Sequence, residues 1–219
     1  MLIDKPSKMT SHDVVFKIKK NLQNKYPEQK IKVGHAGTLD PLANGLLVVL
    51  IGTETKNSDK YMAGDKEYVF NVLFGIKTKT GDIDPLEIKN KKLKIKNKIH
   101  KSKLKEIIES LKGKVELKVP AYSAIKVKGK KLYNLARSGK IKESDIPTRV
   151  FEIYSIKLLD LYENTAKIKI NCSKGTYIRS IGEEIGKRMG IDSCIFNLRR
   201  TKSGTFNIKN AIKLEEFIW

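Results

Sequence analysis

Gly34-His-Ala-Gly-Thr-Leu-Asp-Pro-Leu-Ala-Asn-Gly45, running straight into Leu46-Leu-Val-Val-Leu-Ile51, is the stretch on which the fold reading turns. The apolar run is too short for a membrane span and does not alternate, so it reads as a central strand buried on both faces. The residues before it are punctuated by glycine, and Pro41 fixes the backbone directly after Asp40. An aspartate on such a loop, seated on a rigid strand and open to a cleft, suits a nucleophile or general base. Taken alone, it reads first as a turn aspartate bonded to its own backbone ahead of proline.

Working outward, Thr10 and Asp13 form a capping pair, and Val14, Val15, Ile18 and Leu22 predict a helix over 11–22. Lys30–Val33 reads as a short strand. Beyond the central strand, Tyr68–Ile76 reads as a strand, Lys77–Pro85 as a polar turn region, and Glu87–Lys103 as an exposed loop or weak hairpin. Leu104, Ile107, Ile108 and Leu111 predict a helix ended by Gly113, before a short strand at Val115–Val119. Val150–Leu161, Thr165–Cys172 and Leu198–Phe206 read as strands, Tyr177–Met189 as a helix ended by Gly190, and Leu214–Ile218 as a terminal helical turn. Elements mix without regular strand–helix alternation and without internal repeats. The expected class is α+β, with a mixed, largely antiparallel sheet flanked by helices. A length of 219 residues fits one such domain, with room for a small annex.

Lys and Arg number 45 against 24 Asp and Glu, a net charge of +21, which points to a polyanionic partner. Richness in Lys, Asn and Ile is also what an AT-rich genome imposes, so charge alone does not separate RNA from DNA or an anionic membrane. No basic amphipathic helix supports the membrane alternative. The two cysteines and three histidines lack metal-ligand spacing. Met1-Leu-Ile-Asp-Lys-Pro6 has no signal-peptide pattern. The expectation is a cytoplasmic protein without structural metal.

Further segments carry chemistry. In Cys172-Ser-Lys-Gly-Thr-Tyr-Ile-Arg-Ser180 a strand turns into a helix, bringing Tyr177 and Arg179 near a helix start. A ring that stacks and a guanidinium that pairs suit a nucleotide, although a core tyrosine and a surface arginine satisfy the same pattern. Tyr122-Ser-Ala-Ile-Lys-Val-Lys-Gly-Lys-Lys-Leu-Tyr133 interleaves lysines with tyrosines, as an RNA-backbone clamp or a solvated loop would. Leu198-Arg-Arg-Thr-Lys-Ser-Gly204 reads as an edge strand with a basic face.

Together these segments resemble, in order and over nearly the whole chain, the TruB family of tRNA pseudouridine-55 synthases. Asp4-Lys-Pro6 with Thr10-Ser-His-Asp-Val-Val15 resembles its first motif, and Gly34 to Leu47 its catalytic motif, the most specific of the set. Lys66-Glu-Tyr68, Phe74-Gly75 and Thr80-Gly-Asp82 come next. Pro120-Ala-Tyr-Ser-Ala-Ile-Lys126, with Gly129, Leu132-Tyr133 and Ala136-Arg137, resembles its RNA-gripping insertion, about 120–148. Cys172 to Arg179 and Leu198-Arg-Arg-Thr201 complete it.

The resemblance implies a pseudouridine synthase fold and a role for each matching position. Asp40 is the catalytic aspartate. Tyr68 stacks on the target base, and Arg179, beside the motif tyrosine Tyr177, pairs with the aspartate. His35 pushes into the T loop as nucleotides flip out, Leu198 lines the pocket, and Lys126 helps grip RNA. No cofactor is implied, because the isomerisation involves neither redox change nor external group transfer. The implied partner is the T arm of tRNA around uridine 55, acted on by a monomer. Asp40 could attack C1′, attack C6 of the uracil, or abstract a proton from C2′; the sequence does not choose. Three departures stand out. Lys8 replaces a usual glycine, for which a local backbone adjustment is expected. Asp84-Pro85 replaces a usual Asp-Gly turn, so that loop should differ. The chain is read as a single catalytic domain, 1–219, without the family's small C-terminal PUA-like RNA-binding domain. Two rival readings are a guide-RNA-dependent pseudouridine synthase subunit and a T-arm-binding tRNA-folding chaperone.

Overall fold

The computed structural model describes the chain except for residues 90, 92, 94, 96, 97, 128, 218 and 219. Its contacts divide it into two compact units, Met1–Val69 with Asn197–Trp219, and Phe70–Phe196.

The first unit opens with β1 (Leu2–Lys5) and α1 (Ser11–Lys25). The capping box is present: the Asp13 amide donates to Thr10 Oγ1 at 3.0 Å, and the Thr10 amide to Asp13 Oδ2 at 2.8 Å. The helix runs a turn past the expected Leu22, stopping at Tyr26 ahead of Pro27, whose ring disfavours helical backbone before it. β2 is Val33–Ala36, not the expected Lys30–Val33, because His35 pairs with Val49 and draws the motif's first residues into the sheet. β3 (Asn44–Ile51) is the predicted central strand. Leu47 and Val49 pack with Ile3, Val14, Ile18, Leu214 and Phe217, while Val48 and Leu50 pack with Ala36. Alternate residues therefore feed separate clusters, and each fully buried aliphatic side chain contributes roughly 1.5–3 kcal/mol. The short helix α2 (Ser58–Met62) leads to β4 (Lys66–Phe74), which carries the chain into the second unit.

There, the expected polar turn region is irregular over 77–84, and α3 (Pro85–Ile88) starts at its end: Asp84 Oδ1 accepts the Leu86 amide at 3.0 Å, and Pro85 needs no amide partner at a helix start. The loop assigned to Glu87–Lys103 lies partly outside the described residues. Its ends are helical, in α3 and in α4 (Lys101–Glu109). Gly113 does not cap α4; with φ +99° it opens β5 (Gly113–Lys118). β6 (Lys126–Val127) and β7 (Lys130–Lys131) form a separate small hairpin before α5 (Leu132–Arg137). β8 (Thr148–Tyr162) and β9 (Thr165–Cys172) follow as a long antiparallel pair. α6 (Ile178–Met189) ends as predicted at Gly190, φ +73°.

β10 (Ser193–Ser203) begins earlier than the expected Leu198, since Cys194 and Ile195 are buried within the second unit, and returns the chain to the first. It is not an edge. In the first unit the strand order is β12-β1-β3-β10-β4, with β11 (Phe206–Asn207) on β10, β2 on β3, and β12 (Ile212–Lys213) parallel to β1. In the second the order is β4-β9-β8-β5. The sheet is mixed and largely antiparallel, as expected. A 3-10 turn at Leu214–Phe217 matches the terminal turn, whose last residue lies outside the described ones. No described helix is long and apolar enough to cross a membrane.

Candidate active site

Asp40 occupies the first position of a turn closed by the Ala43 amide, which donates to the Asp40 carbonyl at 3.0 Å, with Pro41 supplying the fixed φ that a second turn position wants. The turn reading of the sequence therefore holds for the backbone. Asp40 itself is half-buried.

What surrounds the turn is unusual in how much of its main chain is held from outside. Ser11 Oγ accepts the Leu39 amide at 2.8 Å and donates to the Leu39 carbonyl at 3.2 Å, with both residues buried. Ser7 Oγ donates to the Leu42 carbonyl at 2.9 Å, and the Lys8 amide to the Pro41 carbonyl at 2.7 Å. Thus the segment between β1 and α1 brackets Asp40 on both sides. Lys8 holds its place with φ +66°, the left-handed region that favours glycine. Lysine takes up this conformation itself, with its amide committed to the Pro41 carbonyl.

Below the turn lie two buried cations that the sequence reading did not single out. Lys5 Nζ donates to the carbonyls of Pro6, at 2.9 Å, and Met9, at 2.6 Å. Burial pushes its ammonium down to about 8; the Asp40 carboxylate opposes that shift, the Arg200 guanidinium adds to it, and Asp13 opposes it. Arg200 donates from Nε to Leu46 O at 2.8 Å and from Nη2 to Gly37 O at 3.0 Å, with Nη1 at 3.5 Å from Thr38 O. Its neighbour Arg199 forms a two-pronged ion pair with Asp4, at 3.0 and 2.6 Å, and reaches Asn44 Oδ1 at 3.0 Å. The basic-face reading of Leu198 to Gly204 is corrected here. Strand alternation sends consecutive arginines to opposite faces, and that period was the signal that could have found the buried one.

His35, on β2, is half-buried, and its Nδ1 has no hydrogen-bond partner among the described residues. Burial, then Arg200 and His12, lower its pKa, so the neutral imidazole prevails near pH 7. Tyr68, on β4, is 8% exposed. Its flanking motif residues are tied down: Lys66 Nζ donates to the Met62 and Gly64 carbonyls, and Glu67 Oε1 accepts from Thr201 Oγ1 at 2.8 Å. Leu198, on β10, is partly exposed. Asp40, His35, Tyr68 and Leu198 all belong to the first unit.

Tyr177, Arg179 and Lys126 belong to the second unit. Tyr177 is the N-cap residue of α6, its ring edge-on to Phe151 with centroids 6.3 Å apart. Arg179 is buried, not the surface arginine of the plain reading: Nη1 donates to Thr80 O at 2.9 Å and Nη2 to Tyr122 O at 3.2 Å. The Thr80-Gly-Asp82 motif makes that possible. Gly81, at φ +80°, leaves little room for a side chain, since a Cβ would sit 3.3 Å from Arg179 Cβ and 3.0 Å from Glu183 Oε1. Lys126 is exposed on β6. Nearby, Lys131 and Arg137 lie 5.6 and 5.7 Å from the Tyr133 ring centre, so the insertion's cations gather on an aromatic face. Lys128 of the same stretch lies outside the described residues.

Comparison with known proteins fits this architecture. A solved Cbf5-Nop10-Gar1 complex contains a chain that superposes with a TM-score of 0.72 at 26% identity, over 98% of this chain and 52% of that one. An H/ACA RNP bound to a substrate RNA containing 2'-deoxyuridine gives 0.69 at 24% identity, over 98% of this chain and 51% of that one. This chain spans about half the length of both solved chains. Its fold is that of the pseudouridine synthases. The family model described as "TruB family pseudouridylate synthase (N terminal domain)" matches residues 19–178. A protein of Caldicellulosiruptor saccharolyticus named tRNA pseudouridine synthase B is 44% identical over 217 residues, 98% of this chain and 70% of that protein. One of Clostridium tetani with the same name is 42% identical over 212 residues, 97% of this chain and 70% of that protein. The chain belongs to the TruB family of pseudouridylate synthases.

Proposed function

We propose that this chain isomerises uridine 55 in the T loop of tRNA to pseudouridine, in the cytoplasm and as a monomer, with Asp40 as its catalytic residue. The observation that carries the reading is the clamped turn: Ser7, Lys8, Ser11 and Arg200 all bind the main chain of residues 37–42, on either side of Asp40. A preorganised carboxylate on a rigid support is what attack on a sugar or base carbon requires.

The target uridine must leave its stack, which costs a few kcal/mol. His35, neutral and half-buried, and the cations around Tyr133 are assigned to that step: one fills vacated space, the others grip phosphates. Tyr68 holds the uracil face while the N-glycosidic bond breaks, the base turns, and C5 joins C1′. Leu198 lines the nucleotide's pocket, Tyr177 is the motif tyrosine beside Arg179, and Lys126 contributes to backbone binding. The pairing of Arg179 with Asp40 enters from the family motif. Its support on the arginine's side is a guanidinium held by two carbonyls, a planar cation of the kind that pairs with a carboxylate.

The guide-free reading is favoured over the guide-dependent one by the relatives named tRNA pseudouridine synthase B, at 42–44% identity, against 24% for the chain from the H/ACA RNP and 26% for that from the Cbf5-Nop10-Gar1 complex. Incubating pure protein with unmodified T-arm RNA and mapping pseudouridine tests it. Product at position 55 without guide RNA is expected, and Asp40→Asn should abolish product while RNA still binds. Turnover by Asp40→Asn removes the catalytic assignment, and RNA binding with no product from the wild type leaves the guide-dependent and chaperone readings.

A further inference from the structure

We propose that Arg200 is the positioning residue of the catalytic loop: through the carbonyls of Gly37, Thr38 and Leu46 it fixes the main chain that carries Asp40. The proposal rests on the reading of Asp40 given above. Three observations lead to it.

The first is a gap in the sheet. One edge of β3 pairs with β10 at Asn44 and Gly45 and with β2 from Val48 to Ile51. Between those registers Leu46 faces no strand on that edge, and the Arg200 Nε–H takes its carbonyl. The side chain stands in for the missing strand at the point where the loop from β2 returns to β3.

The second is cost. Arg200 is 1% exposed, and its hydrogen bonds among the described residues go to carbonyls. An ion taken out of water is expensive, and an apolar side chain of similar volume would fill the space at lower cost. A guanidinium does what no apolar group can: its planar fork reaches Leu46 on one side and Gly37 and Thr38 on the other. A lysine ammonium at one point could not span them.

The third is fit. Gly37, at φ +95°, lies directly on the guanidinium, where an added Cβ would come within 3.5 Å of Nη1. Gly45 packs so closely on the Arg200 backbone that a Cβ would overlap its carbonyl oxygen and sit 2.8 Å from its nitrogen. Glycines in the loop thus hold Arg200 from both ends. Lys5, the second buried cation, anchors the segment that brackets the turn from the other side.

The test uses Arg200→Lys and Arg200→Met in the full chain, with three readouts: RNA affinity, the single-turnover rate of pseudouridine formation at saturating RNA, and amide hydrogen exchange. Affinity should stay within about threefold of wild type while the rate falls at least about thirtyfold, a loss confined to the chemical step. Exchange at the Leu39 and Ala43 amides should rise about tenfold or more, with the β1–β3 ladder unchanged. A wild-type rate in either variant, or exchange rising evenly through the ladder, overturns the proposal. If the wild type itself makes no pseudouridine, the reading of Asp40 fails, and the exchange at Leu39 and Ala43 alone decides whether Arg200 holds the loop. If neither variant folds, Gly37→Ala, which strains the left-handed backbone where the loop meets an intact Arg200, must reproduce the rate loss at unchanged affinity; a normal rate there overturns the proposal too.

Discussion

Gly34 and Gly45 bound the catalytic motif and look equivalent in the sequence, but replacing each by alanine should give opposite results. Gly45 has φ +102°, and in register it sits between Lys5 of β1 and Arg200 of β10. Alanine there meets two penalties. A left-handed backbone costs an L-residue about 1–2 kcal/mol. The Cβ also overlaps the Arg200 carbonyl oxygen, so β10 must move off β3, an overpacking cost of about 1–3 kcal/mol. Together they come to about 2–5 kcal/mol, and at about 2–4 °C per kcal/mol the melting temperature should fall by about 10 °C. Moving β10 also carries the Arg200 guanidinium away from Gly37 and Leu46, so the rate at saturating RNA should fall further than stability alone explains. Gly34 has ordinary strand dihedrals, and a Cβ there meets only Thr55 Cγ2 at 3.8 Å. Gly34→Ala should therefore be neutral, or stabilise by a few tenths of a kcal/mol through a less flexible unfolded chain. Calorimetry on both variants with the wild type, in one buffer, makes the comparison. If Gly45→Ala melts within about 2 °C of wild type, or Gly34→Ala falls as far as Gly45→Ala, the packing argument is wrong.

Other expectations are as specific. Ser11→Ala strips the Leu39 amide and carbonyl of their buried partner and should cost about 2 kcal/mol by chemical denaturation; a cost under about 0.5 kcal/mol would show that water replaces the hydroxyl. Lys8→Gly relieves the left-handed lysine and should raise stability by up to about 1 kcal/mol, which a small upward shift in the denaturation midpoint would register. Gly186→Ala on α6 drives a methyl into Ser193 Oγ and to 2.6 Å from the Ile191 carbonyl, and should destabilise by about 2 kcal/mol or more, visible as loss of soluble, cooperatively melting protein. The Lys5 ammonium is pushed down to about 8 from the usual lysine value, so above pH 8 the unfolded chain binds more protons and stability rises with pH. Relative to Lys5→Met, the wild type should gain about 2 kcal/mol between pH 7 and pH 10 in paired denaturation curves, and parallel curves would remove this titration.

Much of this protein was legible locally. The run Leu46–Ile51 had to be a central strand because apolar residues on both faces need cover on both faces. The Thr10–Asp13 box had to start a helix, and Gly190 had to end one, because neighbouring residues satisfy those groups. The motif order carried the family. What the sequence could not supply was partners across long separations. Arg199 and Arg200 are adjacent and chemically alike, yet one lies half-exposed on Asp4 and the other is buried under a loop some 160 residues earlier in the chain. Lys8 stood in the sequence only as a replaced glycine, and its amide's partner, the Pro41 carbonyl, is one that the fold brings. Gly34 and Gly45 became distinguishable only when β10 was laid beside β3. Periodicity, capping and turn chemistry act within a few residues, so sequence determines them directly. A buried cation's partners and a glycine's clearance depend on which distant strand arrives alongside, and only the tertiary structure decides that.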